Sequence, residues 1–410
     1  MNFDIDFVRE QFPALTGDFV FFDNAGGSQT LKPVADRISD YLLTSNVQLG
    51  ASYCVSEEAG ARVSEGVQTV ADFIGAKESS EVILGSSTSM LLKILSISLG
   101  ETFSVGDEII VTNCDHEANI GCWRSLEKKG MVIKEWCVNP ETLELHLKDL
   151  EMLMSPRTRL VALTHASNVL GTINPIKKIA SFVHERGAMI CVDGVAYAPH
   201  RQVDVSDLDV DFYAFSFYKV YGPHYSVLYG KKEILETLPG INHYFIEKEI
   251  PYKFQPGNVN YELCYGLIGL KDYFCKLAQR LDNKESDIPQ LKPALSLAFQ
   301  HIAGYEEELC TPLLDYLNHQ PDIRIIGKQE ADRHIRVPTI SFVKGALKSS
   351  LIPPQIDSHN VGIRFGDFYA RRLIRDIGLE PQDGVIRVSM VHYNTIQEVE
   401  KLIRALDSLK

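Results

Sequence analysis

Seven short apolar runs, rich in β-branched and aromatic residues, recur between amphipathic stretches, and this alternation constrains the fold more than any other feature of the sequence. The runs are Val82–Leu84, Glu108–Val111, Met131–Val138, Arg159–Leu163, Ala188–Val192, Asp211–Phe215 and Tyr225–Tyr229. Several are separated by helical patterns, such as Ile176–Arg186, whose apolar residues fall at helical spacing. Strands that alternate with helices predict an α/β chain with a mostly parallel sheet covered on both faces. The last two runs are joined too tightly for a helical crossover, so one strand there is expected to be antiparallel.

After about residue 285 the rhythm changes. A helical stretch, Leu291–Tyr316, precedes strand-like Ile323–Ile326 and Thr339–Val343 and a final helix over Ile396–Leu409. A chain of 410 residues exceeds what one small core organises. The expected division is a large domain over residues 18–285 and a small α+β domain over 286–410, which residues 1–17 join. No internal repeat is visible.

Composition narrows the function classes. With 45% hydrophobic and 23% charged residues and no long low-complexity tract, the chain reads as soluble and globular. The net charge of -13, with no Lys/Arg-rich run, argues against nucleic acid or an anionic membrane as partner. The start, Met1–Glu10, lacks the basic and apolar regions of a signal peptide, and no run reaches the length of a membrane span, so a cytoplasmic location is expected. Eight scattered cysteines form no CxxC and no Cys/His group at zinc spacing, which predicts reduced core residues and no metal site. Cys191, inside an apolar run, is read as buried.

In open α/β sheets ligands collect beyond the carboxyl ends of the strands, so the polar residues that follow each run are the candidates. Asp193 follows Ala188–Val192. It is either a turn carboxylate or the partner of a protonated pyridine nitrogen that keeps a cofactor ring electron-withdrawing. Lys219 follows Asp211–Phe215 amid aromatic, uncharged neighbours. An isolated turn lysine is usually a solvated one, but apolar surroundings lower an ammonium pKa and free the amine to condense with an aldehyde. Gly85–Ser89 follows the first run and opens an apolar helix, where N–H groups and the hydroxyls of Ser87 and Thr88 suit a phosphate or simply cap the helix. Ser216 and Tyr218 offer further hydroxyls. His116, after Glu108–Val111, suits stacking on a flat ring, proton transfer or plain solvation.

Together these residues resemble the class V aminotransferase and cysteine desulfurase-like family of pyridoxal-phosphate (PLP) enzymes, fold type I. The resemblance spans nearly the whole chain: Phe22–Gly27, the Ser87-Thr88 helix start, Asp115–Asn119, His165–Gly171, Val192–Gly194, Asp211–Pro223 and Ile386–Ser389. It implies a seven-stranded, mostly parallel sheet domain and pyridoxal 5'-phosphate held as a Schiff base on Lys219. It implies Asp193 at the pyridine nitrogen, His116 stacked on the ring and Asn168 beside the phenolic oxygen. Ser87, Thr88, Ser216 and Tyr218 map to phosphate positions, and desulfurase-type relatives often carry histidine in place of Tyr218. Arg387 maps to the arginine that forks the substrate carboxylate, its plainer reading being a structural ion pair. Gly26, Gly27, Tyr53 and Phe368 are implied as pocket-lining. Residues 45–53 and 250–260 resemble segments through which a partner subunit completes each site, which implies a homodimer. Gly257 and Asn258 then either touch the neighbouring cofactor's phosphate or turn the chain.

Two departures from the family sharpen the reading. Cysteine desulfurases carry a mobile cysteine near the place of Val361–Tyr369, and here no cysteine follows Cys310. This matches a subgroup that lacks the nucleophile and argues against a protein persulfide. The glutamine that commonly follows the pyridine-binding aspartate by three positions is Ala196. Either Tyr197 or His200 compensates, or the pocket is opened for a larger substrate. The resemblance thus implies an enzyme on which an amino acid displaces Lys219, Arg387 holds its carboxylate and the lysine amine removes the α-proton. The favoured outcome is carbon–sulfur β-elimination from a cysteine-derived substrate. Epimerisation, transamination and carbon–carbon bond formation in a natural-product pathway are the alternatives, with an inactive binding protein as the non-enzyme one. The joint presence of Lys219, Asp193 and Arg387 speaks against the last.

Overall fold

A computed structural model of the chain describes residues 3–282 and 290–409. Thirteen strands run in chain order: β1 (Val20–Phe21), β2 (Val82–Gly85), β3 (Glu108–Thr112), β4 (Val132–Trp136), β5 (Thr158–Thr164), β6 (Met189–Asp193), β7 (Phe212–Ser216), β8 (Ser226–Gly230), β9 (Ile323–Ile326), β10 (Thr339–Lys344), β11 (Val361–Gly362), β12 (Arg364–Gly366) and β13 (Val385–Ser389). The seven apolar runs become β2 to β8 and form one sheet in the order β2-β8-β7-β6-β5-β3-β4. β8 is antiparallel to both of its neighbours, and the β3–β4, β3–β5, β5–β6 and β6–β7 pairs are parallel. The turn expected before Tyr225 accounts for that reversal.

Burial follows the pattern. Val82, Ile83, Ile109, Ile110, Val111, Leu160 to Leu163 and Ile190 to Val192 are all buried, as strands covered on both faces require. One cover is the helix Ile176–His184, which buries Ile176, Ile179, Ala180 and Val183 on a single stripe. The other is the apolar helix Thr88–Gly100, against which Leu228 and Ile83 share a core.

A second, four-stranded antiparallel sheet has the order β12-β13-β10-β9. The helices Leu291–His319 and Ile396–Asp407 cover it with Leu309, Leu313, Leu317, Val399 and Leu402. The longer helix also reaches the large core through Leu291, Leu295 and Phe299, so one rigid element joins the two layers. The sequence division at residues 285 and 286 lies outside the described residues. Residues 3–15 do not side with the small sheet alone. Phe7, Val8 and Phe12 bury in the large core, while Arg9 reaches the Tyr393 carbonyl and Glu398. Phe12 packs edge-on against Tyr221 and Tyr273 of the large unit, which is the apolar surface this segment needs. β1 pairs with β11 in parallel and so ties the start of the chain to the segment before β12. Among the described residues no helix is long and apolar enough to cross a membrane.

Candidate active site

Polar residues at the carboxyl ends of β2, β3, β5, β6 and β7 converge on one cavity. Its lining includes Ser87, Thr88, Ser89, His116, Asn168, Asp193, Ala196, Ser216, Tyr218 and Lys219. Each lies at or within four residues after the end of a strand, because a parallel sheet aims all of its carboxyl ends to the same side.

β7 ends at Ser216 and passes into a single 3₁₀ turn, Phe217–Lys219, which leaves Lys219 buried. Burial, reinforced by the positive charge of Arg387, lowers the lysine pKa to about 8, against the weaker pull of Asp193 and Asp23. The amine forms no ion pair among the described residues, and the Tyr218 ring lies 5.8 Å from its nitrogen. A lysine so placed holds a substantial neutral fraction near pH 8.

Asp193 closes β6, and burial raises its pKa to about 6. Its Oδ1 accepts the Val195 N–H at 2.9 Å. The next residue must be glycine, since a Cβ on Gly194 would stand 2.1 Å from the Tyr213 ring. At neutral pH Asp193 is still largely ionised and suits a protonated ring nitrogen.

At the other end Ser87 caps the helix Thr88–Gly100 by accepting the Met90 N–H at 3.2 Å. Thr88 Oγ1 and Ser216 Oγ lie 2.7 Å apart, and Ser216 Oγ lies 2.8 Å from Ser226 Oγ. This row of hydroxyls at a helix start is a cradle for a dianion. His116 lines the side. Its Nδ1 accepts the Ala118 N–H at 3.1 Å, and burial together with Lys219 and Arg387 lowers its pKa to about 4. The ring is therefore neutral at pH 7.

Arg387 lies in β13 behind Asn168, with 2% of its side chain exposed. Its Nη1 donates to the Asn168 carbonyl at 3.2 Å and its Nη2 to Asp23 Oδ1 at 2.8 Å, while the buried Nε has no partner among the described residues. The ion-pair reading is thus present in the structure, and the Nε–H beside it is unengaged among the described residues. Asn168 directs its amide nitrogen to the Phe368 carbonyl at 2.8 Å. Phe368 stacks on the Arg387 guanidinium, 3.7 Å from Cζ to ring centroid.

The remaining candidates lie elsewhere in the single chain. Gly26 and Gly27 line a neighbouring cleft with Asp23, Gln29 and Arg364, and Gly27 faces the Tyr218 ring. Tyr53 is half exposed at the start of the helix Cys54–Ile74. Gly257 and Asn258 form a turn with φ of 84° and 75°, and the Asn258 amide donates to the Tyr261 hydroxyl at 3.2 Å. Asn258 borders a separate groove with Gly50 and Tyr252.

Neither residue suggested as a substitute at Ala196 is among the lining of the cavity. Tyr197 stacks on His165 at 3.4 Å and 10°, and His200 Nδ1 lies 2.8 Å from Glu306 Oε1. Ala196 itself lines the cavity, so the wall is open there. Sequence reasoning missed Ser89, Thr164, Val195 and Ala118 as lining, although each is a strand end or lies within two positions of a named residue. It also missed Asp23, which the Phe22–Gly27 motif contains.

A phosphate cradle, a buried carboxylate, a side wall for a flat ring and a lysine of lowered pKa meet in one cavity, the full set of partners for pyridoxal phosphate. The sequence profile of the class V aminotransferases matches residues 20–295 and 290–402. This chain belongs to that family. It is 41% identical to the aminotransferase-like protein FGM3 of Gibberella zeae over 99% of this chain and 98% of that protein. It is 34% identical to the cysteine desulfurase-like protein ustD of Aspergillus flavus, over 99% of this chain and 90% of that one. A cysteine desulfurase structure from Thermococcus onnurineus NA1 superimposes with a TM-score of 0.86 at 26% identity, covering 100% of this chain and 98% of that one. As a class V member the chain is of the fold type I, pyridoxal-phosphate-dependent kind.

Proposed function

We propose that this class V enzyme is a carbon–sulfur β-lyase acting on a cysteine-derived amino acid without a protein persulfide. The observation that carries the reading is Lys219, a buried base of lowered pKa in a cavity whose lining contains no thiol. The segment where a desulfurase cysteine is expected instead presents Phe368 and Tyr369. Likeness to a protein named cysteine desulfurase-like supports a substrate of cysteine type.

Ser87, Thr88 and Ser216 would hold the phosphate, Asp193 would pair with the ring nitrogen and His116 would cover a ring face. Pyridoxal phosphate, when bound, takes up the electron pair that deprotonation leaves at the substrate α-carbon. Arg387 holds the carboxylate, and the neutral amine of Lys219 removes the α-proton. As the β-carbon–sulfur bond breaks, the thiolate leaves with that bond's electrons and is protonated. The α-carbon pair becomes a carbon–carbon double bond, and hydrolysis of the released enamine gives pyruvate and ammonia.

Incubation with S-substituted cysteines is expected to release pyruvate and thiol in equal amounts. Silence across the panel, with α-proton exchange continuing in deuterated water, would replace the lyase by an epimerase or a carbon–carbon bond-forming enzyme. The open wall at Ala196 favours that second reading when the substrate is bulky. The same proposal includes a homodimer, supported by exposed Tyr53 and by the groove beside Asn258. Sedimentation equilibrium tests it.

A further inference from the structure

Asp23 has two faces. Its Oδ1 accepts from Arg387 Nη2 at 2.8 Å, and its Oδ2 accepts from Arg364 Nη1 at 3.3 Å. The two arginines differ sharply in setting, with side chains 2% and 61% exposed. They stand opposite each other in the β12–β13 ladder, so the geometry of the trio is set by backbone pairing. Gly26 leaves the carboxylate its room, since a Cβ there would lie 2.9 Å from Asp23 Oδ2. The buried Nε of Arg387 is the one nitrogen of that guanidinium with no hydrogen-bond partner among the described residues.

We propose that Asp23 is a resident carboxylate competing with the substrate for Arg387, and that Arg364 tunes the competition by drawing the Asp23 charge outward. The inference rests on Arg387 as the holder of the substrate carboxylate. A buried guanidinium needs a counter-charge, and Asp23 supplies it in the empty site. A substrate carboxylate arriving at the Nε edge then shares one cation with a second anion. Repulsion between the two is offset only as far as Arg364 holds Asp23. Removing Asp23 should therefore strengthen carboxylate binding, whereas removing Arg364 should weaken it. Without Asp23, Arg364 has nothing through which to act.

The test measures the dissociation constant of propionate, a carboxylate with no amine to react, on the holoenzyme by isothermal titration calorimetry at low salt. Asp23→Asn is expected to tighten binding by about tenfold, because the ligand becomes the sole counter-charge of a buried cation. Arg364→Gln should weaken it by about threefold, an effect that 0.5 M salt removes. The double variant should match Asp23→Asn. Retained colour of the bound cofactor and a single cooperative unfolding transition certify each variant. Weaker or unchanged binding in Asp23→Asn, while Arg387→Lys loses propionate, would mean that Asp23 only positions Arg387, and the inference fails. Propionate binding unaffected by Arg387→Lys would instead overturn Arg387 as carboxylate holder. Should Asp23→Asn not fold, Arg364→Gln decides alone, and no loss at low salt sinks the competition.

Discussion

Asp193 and Lys219 face one cavity without forming an ion pair, whereas Asp23 and Arg387 lie in direct contact at 2.8 Å. Burial moves both members of the first pair toward neutrality, the carboxyl up to about 6 and the amine down to about 8. The second pair also suffers burial, which lowers Arg387 to about 10, yet an arginine at that value remains fully charged at pH 7. Lys219 is therefore placed to exchange its proton near neutral pH, whereas Arg387 stays charged. Separation makes the difference: a contact ion pair stabilises both charges, while two buried groups held apart each bear most of their own desolvation.

Lysine removal breaks the comparison most severely. Lys219→Ala should lose the visible band of lysine-bound cofactor and reduce turnover by about 10³-fold or more, within the range for loss of a positioned base. Colour persisting unchanged in that variant would refute the assignment. The wild-type amine should capture added pyridoxal phosphate faster as pH rises through about 8, because its protonated form dominates below that value. A capture rate flat between pH 6 and 9 would show that the lysine is not tuned.

Arg387→Lys tests the contact pair. A lysine keeps the charge but loses the fork and the planar stack on Phe368. Loss of a charge-assisted bond is worth about 1.5–3 kcal/mol, so KM should rise by about 10- to 100-fold with a smaller change in kcat. An equal fall of kcat and kcat/KM would assign Arg387 to the chemical step instead.

The first pair was far more legible in the sequence than the second. Asp193 and Lys219 each follow an apolar run, and a parallel sheet brings such ends together whatever the details of packing. Ser87 carries a helix-start signature for the same local reason. Asp23 has no such signal. Its partners are 341 and 364 positions away, and only the small sheet's register brings Arg364 and Arg387 to it. The His165–Tyr197 stack was equally hidden, because adjacent aromatic and imidazole rings reveal nothing about which face they share until β5 and β6 are aligned. The amino-terminal segment illustrates a third limit. Its apolar residues fit either layer, and the large core offers the broader aromatic surface.

Buried histidines extend the contrast to stability. Burial lowers His165 and His392 to about 3, well under the ordinary 6.5. The unfolded chain therefore binds protons at these sites before the folded one does, and stability falls as pH drops below about 6.5 toward the folded values. At pH 5 each site costs about 2 kcal/mol, from 1.5 pH units at about 1.4 kcal/mol each. His165→Phe preserves the stack on Tyr197 and should flatten the decline in unfolding temperature between pH 7 and 5. An unaltered slope would mean that His165 titrates normally.

Phe368→Leu gives the smallest change and the finest discrimination between the two pairs. Phe368 has φ of 50°, and its neighbour Tyr369 has φ of 61°, a left-handed conformation that costs bulky residues energy and is kept where surrounding contacts enforce it. Those contacts are the Asn168 amide on the Phe368 carbonyl and the Glu117 N–H on the Tyr369 carbonyl at 2.7 Å. The strap thereby holds an aromatic face against a cation that already has a carboxylate. Leucine keeps the apolar volume but loses the ring quadrupole, worth about 0.5–2 kcal/mol. KM for the amino acid should rise by about three- to tenfold, with the cofactor band and the pH dependence of capture unchanged, and Phe368→Tyr should restore it. A shift in the pH dependence would mean that the segment acts on Lys219 as well, and that the two pairs are coupled through Arg387.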